Sequence, residues 1–154
     1  MDQHHEIERK FLVAELPPNL HTFRKTKIVQ GYISVETKGV VVRLRQRGRK
    51  YSLTAKRGRG VLREEREIKL SAKQFEMLWP MSARRRLCKT RYEVPLDNGL
   101  VAEIDIYGGA NEGVITTEVE FPDQARCKAF KPPAWFGKDV SGKKAYSNLE
   151  LARE

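Results

Sequence analysis

With 154 residues, 40% of them hydrophobic, the chain is long enough for one domain with its own core, spanning 1–154. A net charge of +10 implies an anionic partner: nucleic acid, acidic lipid or a phosphorylated small molecule. No apolar run approaches the roughly 20 residues of a membrane helix, and the polar start MDQHHEIERK does not read as a signal peptide. Cys88 and Cys127 fit neither a disulfide framework nor a metal spacing, so a cytoplasmic protein with reduced thiols is expected.

Turn signals recur regularly, at Lys38-Gly39, Arg47-Gly48, Arg57-Gly58-Arg59-Gly60, Asp97-Asn98-Gly99 and Gly108-Gly109. Between them lie runs rich in Val, Ile, Thr, Tyr and Arg. In chain order, strands are predicted near 5–13, 29–36, 40–48, 50–57, 61–70, 86–96, 99–107 and 114–121. A short helix is expected over 18–26, after Pro17-Pro18. A second helix opens on a capping box from Ser71 to Gln74, carries Phe75, Leu78 and Trp79 at helical spacing, and stops at Pro80. From 122 onward the pattern is irregular, with aromatic anchors at Trp135, Phe136 and Tyr146. Short, evenly spaced strands imply a mainly β, α+β architecture: an antiparallel meander, closed or nearly so.

Side chains alternate between the two faces of a strand, so each strand divides by parity. Glu6, Glu8 and Lys10 share a face opposite Ile7, Phe11 and Val13. Arg43 with Arg45, Lys56, Glu65 with Glu67 and Lys69, Lys89 with Arg91, Glu103 with Asp105, and Glu118 with Glu120 repeat the pattern. One reading makes every such face the solvated side of a sandwich. The other places the charges inside a barrel. Two features favour the second: like charges sit two residues apart, and the apolar faces are broad enough to take the helix and tail as an outer cover. Buried charges are costly unless paired or ion-bound. Eight carboxylates beside seven bases suit a ligand that is both metal and polyanion. All-oxygen acidic ligands select hard cations such as Mg²⁺ or Mn²⁺, and arginine grips phosphate with two prongs. His4 and His5 are read as a solvated pair at the chain end.

Those residues in that order resemble the CYTH superfamily, the triphosphate tunnel metalloenzymes. The resemblance rests on Glu6-Ile-Glu8-Arg9-Lys10 (ExExK) and QGYI at 30–33. It continues with VRLR at 42–45, REEREI at 63–68, KTRY at 89–92, AEID at 102–105, TEVEF at 117–121 and the closing PPAWFGKDVSGKKAYSN at 132–148. The resemblance implies an eight-stranded antiparallel closed barrel, or tunnel, with a few covering helices. It implies Mg²⁺ or Mn²⁺ on Glu6, Glu8, Asp105, Glu118 and Glu120. Lys10, Arg43, Arg45, Lys56, Lys89 and Arg91 would bind phosphate, with Glu65, Glu67 and Glu103 in supporting positions. Lys10, Arg45 and Lys89 would act directly in the reaction, and Tyr32 matches a tyrosine proposed as proton acceptor in relatives. An ordinary tyrosine, with a pKa of about 10, is a poor base at neutral pH. Two departures from the family pattern stand out: Ala145 where members often carry Arg, and Asp139-Val-Ser for Glu-Val-Thr.

The expected activity is metal-dependent hydrolysis of inorganic tripolyphosphate to pyrophosphate and phosphate. The alternatives on the same fold are a class IV-type adenylyl cyclase or thiamine triphosphatase acting on an organic triphosphate. A non-catalytic polyphosphate- or RNA-binding module is a third reading. Paired carboxylates disfavour a nucleic-acid partner, since they repel a phosphate backbone unless metal intervenes. No membrane partner is expected, and a homodimer is left open.

Overall fold

The computed structural model describes residues 7–35, 39–59 and 62–154. Nine antiparallel strands form one sheet: β1 (Ile7–Val13), β2 (Arg24–Val35), β3 (Val40–Arg47), β4 (Lys50–Arg59), β5 (Leu62–Leu70), β6 (Arg86–Pro95), β7 (Val101–Tyr107), β8 (Ile115–Phe121) and β9 (Phe136–Asp139). Their order is β5-β4-β3-β2-β6-β7-β8-β1-β9. The β3–β4 hairpin closes through Gly48 and Arg49 with Arg47 opposite Lys50, and Gly48 has φ 59°. A two-residue hairpin loop needs that left-handed backbone, which glycine adopts without strain.

Three expectations are corrected here. The sheet has nine strands rather than eight, because Phe136–Asp139 in the supposedly irregular tail pairs with β1. The ladder runs from β5 to β9, and among the described residues no pairing joins those two ends. The helix predicted over 18–26 shrinks to one 3-10 turn, Leu20–Thr22. From Arg24 the chain is strand, since Thr26, Ile28 and Val29 are β-branched and pair with β6 from Arg24↔Glu93 to Gly31↔Arg86. Tertiary pairing overrode the local start signal.

The second helix stands as expected. In α1 (Ala72–Leu78) the Ser71 hydroxyl accepts from the Gln74 backbone N–H at 3.1 Å, and the Gln74 side-chain Oε1 accepts from the Ser71 backbone N–H at 2.8 Å. Phe75 is buried, with Tyr51 and Trp79 rings each 5.0 Å away. Two further short helices lie in the tail, α2 (Gln124–Ala129) and α3 (Asn148–Leu151). No helix among the described residues is long and apolar enough to cross a membrane.

The main core sits on the sheet's apolar face. Phe11, Val94, Ala102, Ile104, Val119, Phe121 and Phe136 are buried there, with Phe130 and Trp135 packed over them. Each such large side chain contributes about 1.5–3 kcal/mol by leaving water. Covering this face with the tail leaves the charged face as the concave one. Arg47 on β3 and Glu120 on β8 are four strands apart, about 19 Å on a flat sheet. Yet both line one cavity of about 460 Å³ with Glu93 and Glu103, so the sheet curls its charges inward.

Gly31 marks the tightest approach to that sheet. A Cβ there would lie 2.6 Å from Ser82 Oγ and 2.9 Å from the Trp79 ring. Ser82 is held by Trp79 O at 2.7 Å and by Arg86 Nε at 3.1 Å, so it has nowhere to swing. Gly31→Ala is expected to cost about 1–3 kcal/mol by overpacking. Urea unfolding checks this, and an unchanged midpoint would show that the turn can shift.

Candidate active site

Two walls of different character meet on the concave face. The first is cationic and belongs to β2 and β3. Register pairs Tyr32 with Arg43 and Gln30 with Arg45, which puts all four on one face. Arg43 is buried; its Nη2 donates to Thr54 Oγ1 at 3.3 Å, and Thr54 donates to Glu67 Oε1 at 3.2 Å. Its Nε has no hydrogen-bond partner although it is buried. Arg45 donates through Nε and Nη2 to Gln30 Oε1 at 3.1 and 3.0 Å. Burial, then repulsion from Arg43 and Arg91, pulls the Arg45 guanidinium down to about 10, which still leaves it charged at neutral pH. Burial raises the Tyr32 phenol above its ordinary value despite Arg43 and Arg45, so at neutral pH it holds its proton.

The second wall, on β6, β7, β8 and β1, carries the acids. Asp105, 1% exposed, accepts from Arg91 Nε at 2.8 Å and Nη2 at 2.9 Å, and from Lys89 Nζ at 2.8 Å. Burial acts to raise this carboxyl, but Lys89 and Arg91 outweigh it and hold it well below the usual carboxylate range. Glu103 takes Arg91 Nη1 at 2.7 Å. Lys10 Nζ lies 3.4 Å from Glu118 and donates to Tyr146 O at 2.6 Å. Glu8 stands opposite Glu120, and Glu103 opposite Glu118. Lys56 pairs with Glu65 at 3.7 Å, toward the β5 edge, where Glu65 and Glu67 are exposed.

The tail closes one end of this face. Asn148 Oδ1, at the start of α3, accepts from Lys89 Nζ at 3.3 Å and from Tyr107 Oη at 2.6 Å. Leu151 and Ala152 pack on Tyr32, Leu87 and Tyr107. The closing segment is stitched to β1. Asp139 accepts from Arg9 at 2.9 Å, and Ser141 Oγ accepts from the Lys10 N–H at 2.9 Å. Serine thus supplies the hydroxyl at the place of the family's threonine. Ala145 is exposed, and Lys144 pairs with Glu150 at 3.5 Å on the outer surface.

Of the residues picked out by sequence, Glu8, Lys10, Tyr32, Arg43, Arg45, Lys56, Glu65, Glu67, Lys89, Arg91, Glu103, Asp105, Glu118 and Glu120 share this face by register. Glu6 lies outside the described residues, as do His4 and His5. Among the described residues no three potential metal ligands converge on one point. Asp105, expected as a metal ligand, has both of its oxygens engaged by Arg91 and Lys89. Gln30 and Asn148 were missed. Parity with Tyr32 signals the first; nothing local signals the second, which reaches the site only because the tail folds back.

No family model matches the chain. An inorganic triphosphatase of Nitrosomonas europaea is 43% identical over 148 residues, 96% of each chain. One of Acetivibrio thermocellus is 32% identical over 151 residues, 96% of this chain and 93% of the relative. A solved inorganic triphosphatase structure, 40% identical, superposes with a TM-score of 0.78 over 97% of this chain and 95% of that one. At that identity and coverage, and with the charged strand faces in the expected order, the chain belongs to the inorganic triphosphatases, members of the CYTH superfamily.

Proposed function

We propose that this chain hydrolyses inorganic tripolyphosphate to pyrophosphate and phosphate on its concave charged face, working as a single cytoplasmic domain. The observation that carries the reading is the cationic wall: Arg43 has a buried N–H with no partner, and Arg45 is anchored on a neutral amide. Massing buried guanidinium groups without matching carboxylates is unfavourable unless a polyanion is the ligand. Arg43 and Arg45 bind phosphate oxygens in two-pronged fashion, and the carboxylate-paired Lys10, Lys56, Lys89 and Arg91 stand on the same face beside them. The curl that lets β3 and β8 line one cavity supports enclosure of the chain as a tunnel.

Glu8, Glu118 and Glu120 offer oxygen donors on neighbouring strands, and Glu8 directly opposite Glu120 is a like-charge pair that a cation would relieve. Carboxylate oxygens of this kind are the donors that Mg²⁺ or Mn²⁺ takes. The bound ion supplies charge neutralisation at phosphate oxygens and lowers the pKa of water. The residues align the phosphate chain for in-line attack by water and offset charge on the leaving pyrophosphate. Tyr32, holding its proton, serves as a hydrogen-bonding group near Arg43 rather than as an ionised base.

The test is phosphate release from tripolyphosphate, ATP and thiamine triphosphate with Mg²⁺, Mn²⁺ or EDTA. Tripolyphosphate is expected to be preferred and EDTA to abolish release. Faster turnover of ATP or thiamine triphosphate, formation of cyclic AMP, or full activity in EDTA would each overturn the assignment.

A further inference from the structure

We infer that Gln30 is a positioning residue that orients Arg45 for the polyphosphate by hydrogen bonding without neutralising it. The inference rests on the proposed role of Arg45 in binding phosphate. Gln30 is 0% exposed, on β2 directly opposite Arg45. Its amide orientation is forced: a guanidinium has only donors, so Oε1 must face Arg45, and Nε2 then donates to Tyr32 Oη at 3.3 Å. Two of the five Arg45 N–H donors are thereby fixed on one atom, which sets the plane of the fork and leaves the rest for a ligand.

The contrast with Arg91 gives the neutrality its meaning. Arg91 is also held rigidly, but by Asp105 and Glu103, which cancel its charge. No carboxylate among the described residues is ion-paired with Arg45. A glutamate at position 30 has the same shape and would orient the fork equally well. It would also form a charge-assisted pair that competes with every incoming phosphate. A neutral acceptor gives orientation and keeps the charge available.

The experiment measures kcat and KM for tripolyphosphate, with thermal melting, in Gln30→Glu, Gln30→Met, Arg45→Ala and the double variant Gln30→Glu/Arg45→Ala. Gln30→Glu is expected to melt no lower than the parent while KM rises about 10- to 100-fold, the scale of a hydrogen bond to a charged group. Gln30→Met, which keeps length but has no acceptor for the fork, is expected to lower kcat/KM by about tenfold. If Gln30 works through Arg45, the double variant is no worse than Arg45→Ala alone. A KM within twofold of the parent in Gln30→Glu, or additive losses in the double variant, overturns the inference while a damaged Arg45→Ala keeps the reading of Arg45. An Arg45→Ala enzyme with parental kinetics overturns that reading itself. Should Gln30→Met not fold, the isosteric Gln30→Glu decides.

Discussion

Replacing Glu8 by Gln is expected to lower tripolyphosphate turnover by about 10³-fold, the scale lost with one preorganised charge stabiliser. The fold should be indifferent. Glu8 is exposed on β1, and exposed substitutions usually change stability by about 0.5 kcal/mol or less. Register sets Glu8 opposite Glu120 at the cross-strand spacing of about 4.5–5.5 Å. Carboxylates carried on facing positions of neighbouring strands disfavour each other, and a cation bound beside them would offset that. Removing one charge therefore weakens the ion rather than the sheet. The measurement pairs kcat with Mg²⁺ or Mn²⁺ titration and a melting curve. Reduced activity with a higher metal requirement and an unchanged melt is the expected pattern. Metal-dependent phosphate release at the parental rate would remove Glu8 from the metal site.

Asp105→Asn is expected to do the opposite, striking the fold first. Asp105 is the common partner of two buried cations, Lys89 and Arg91, at 2.8–2.9 Å. Breaking a buried ion network by removing one member costs about 3–5 kcal/mol, because the charges left behind stay desolvated. For a chain of this size that is a fall of roughly 6–20 °C in melting temperature. The pH dependence follows from the depressed Asp105 carboxyl. Because its folded pKa lies below the unfolded value of about 3.9, its contribution is fully present above that value. It is lost as pH falls toward the folded pKa, where the unfolded chain binds the proton more readily. Urea unfolding between about pH 5 and 2 should thus show a steeper loss of stability in the parent than in Asp105→Asn. Parallel curves, or a variant within 0.5 kcal/mol of the parent at neutral pH, would mean that Glu103 or Asn148 can take over the two cations.

These two carboxylates looked alike in the sequence. Glu8 and Asp105 each occupy the charged parity of a strand, and each was assigned to metal by the same resemblance. What separates them is the neighbouring strand. β6 lies beside β7 with Arg91 opposite Asp105, whereas β8 lies beside β1 with Glu120 opposite Glu8. The strand faces and the capping box at Ser71 were legible locally, because alternation and capping depend on backbone geometry within a few residues. The β2 start at Arg24 and strand β9 were not, because both exist only through pairing with chain far away in sequence.

The sequence by itself therefore determined that the chain would have one charged and one apolar sheet face, and which residues would stand on each. Only the tertiary structure decided which acid meets which base. It tied Asp105 to Lys89 and Arg91, gave Arg45 a neutral amide, and brought Asn148 from the tail onto Lys89. Parity is a property of a single strand, whereas the charge state and freedom of each side chain depend on register between strands, and register forms only when the whole sheet folds.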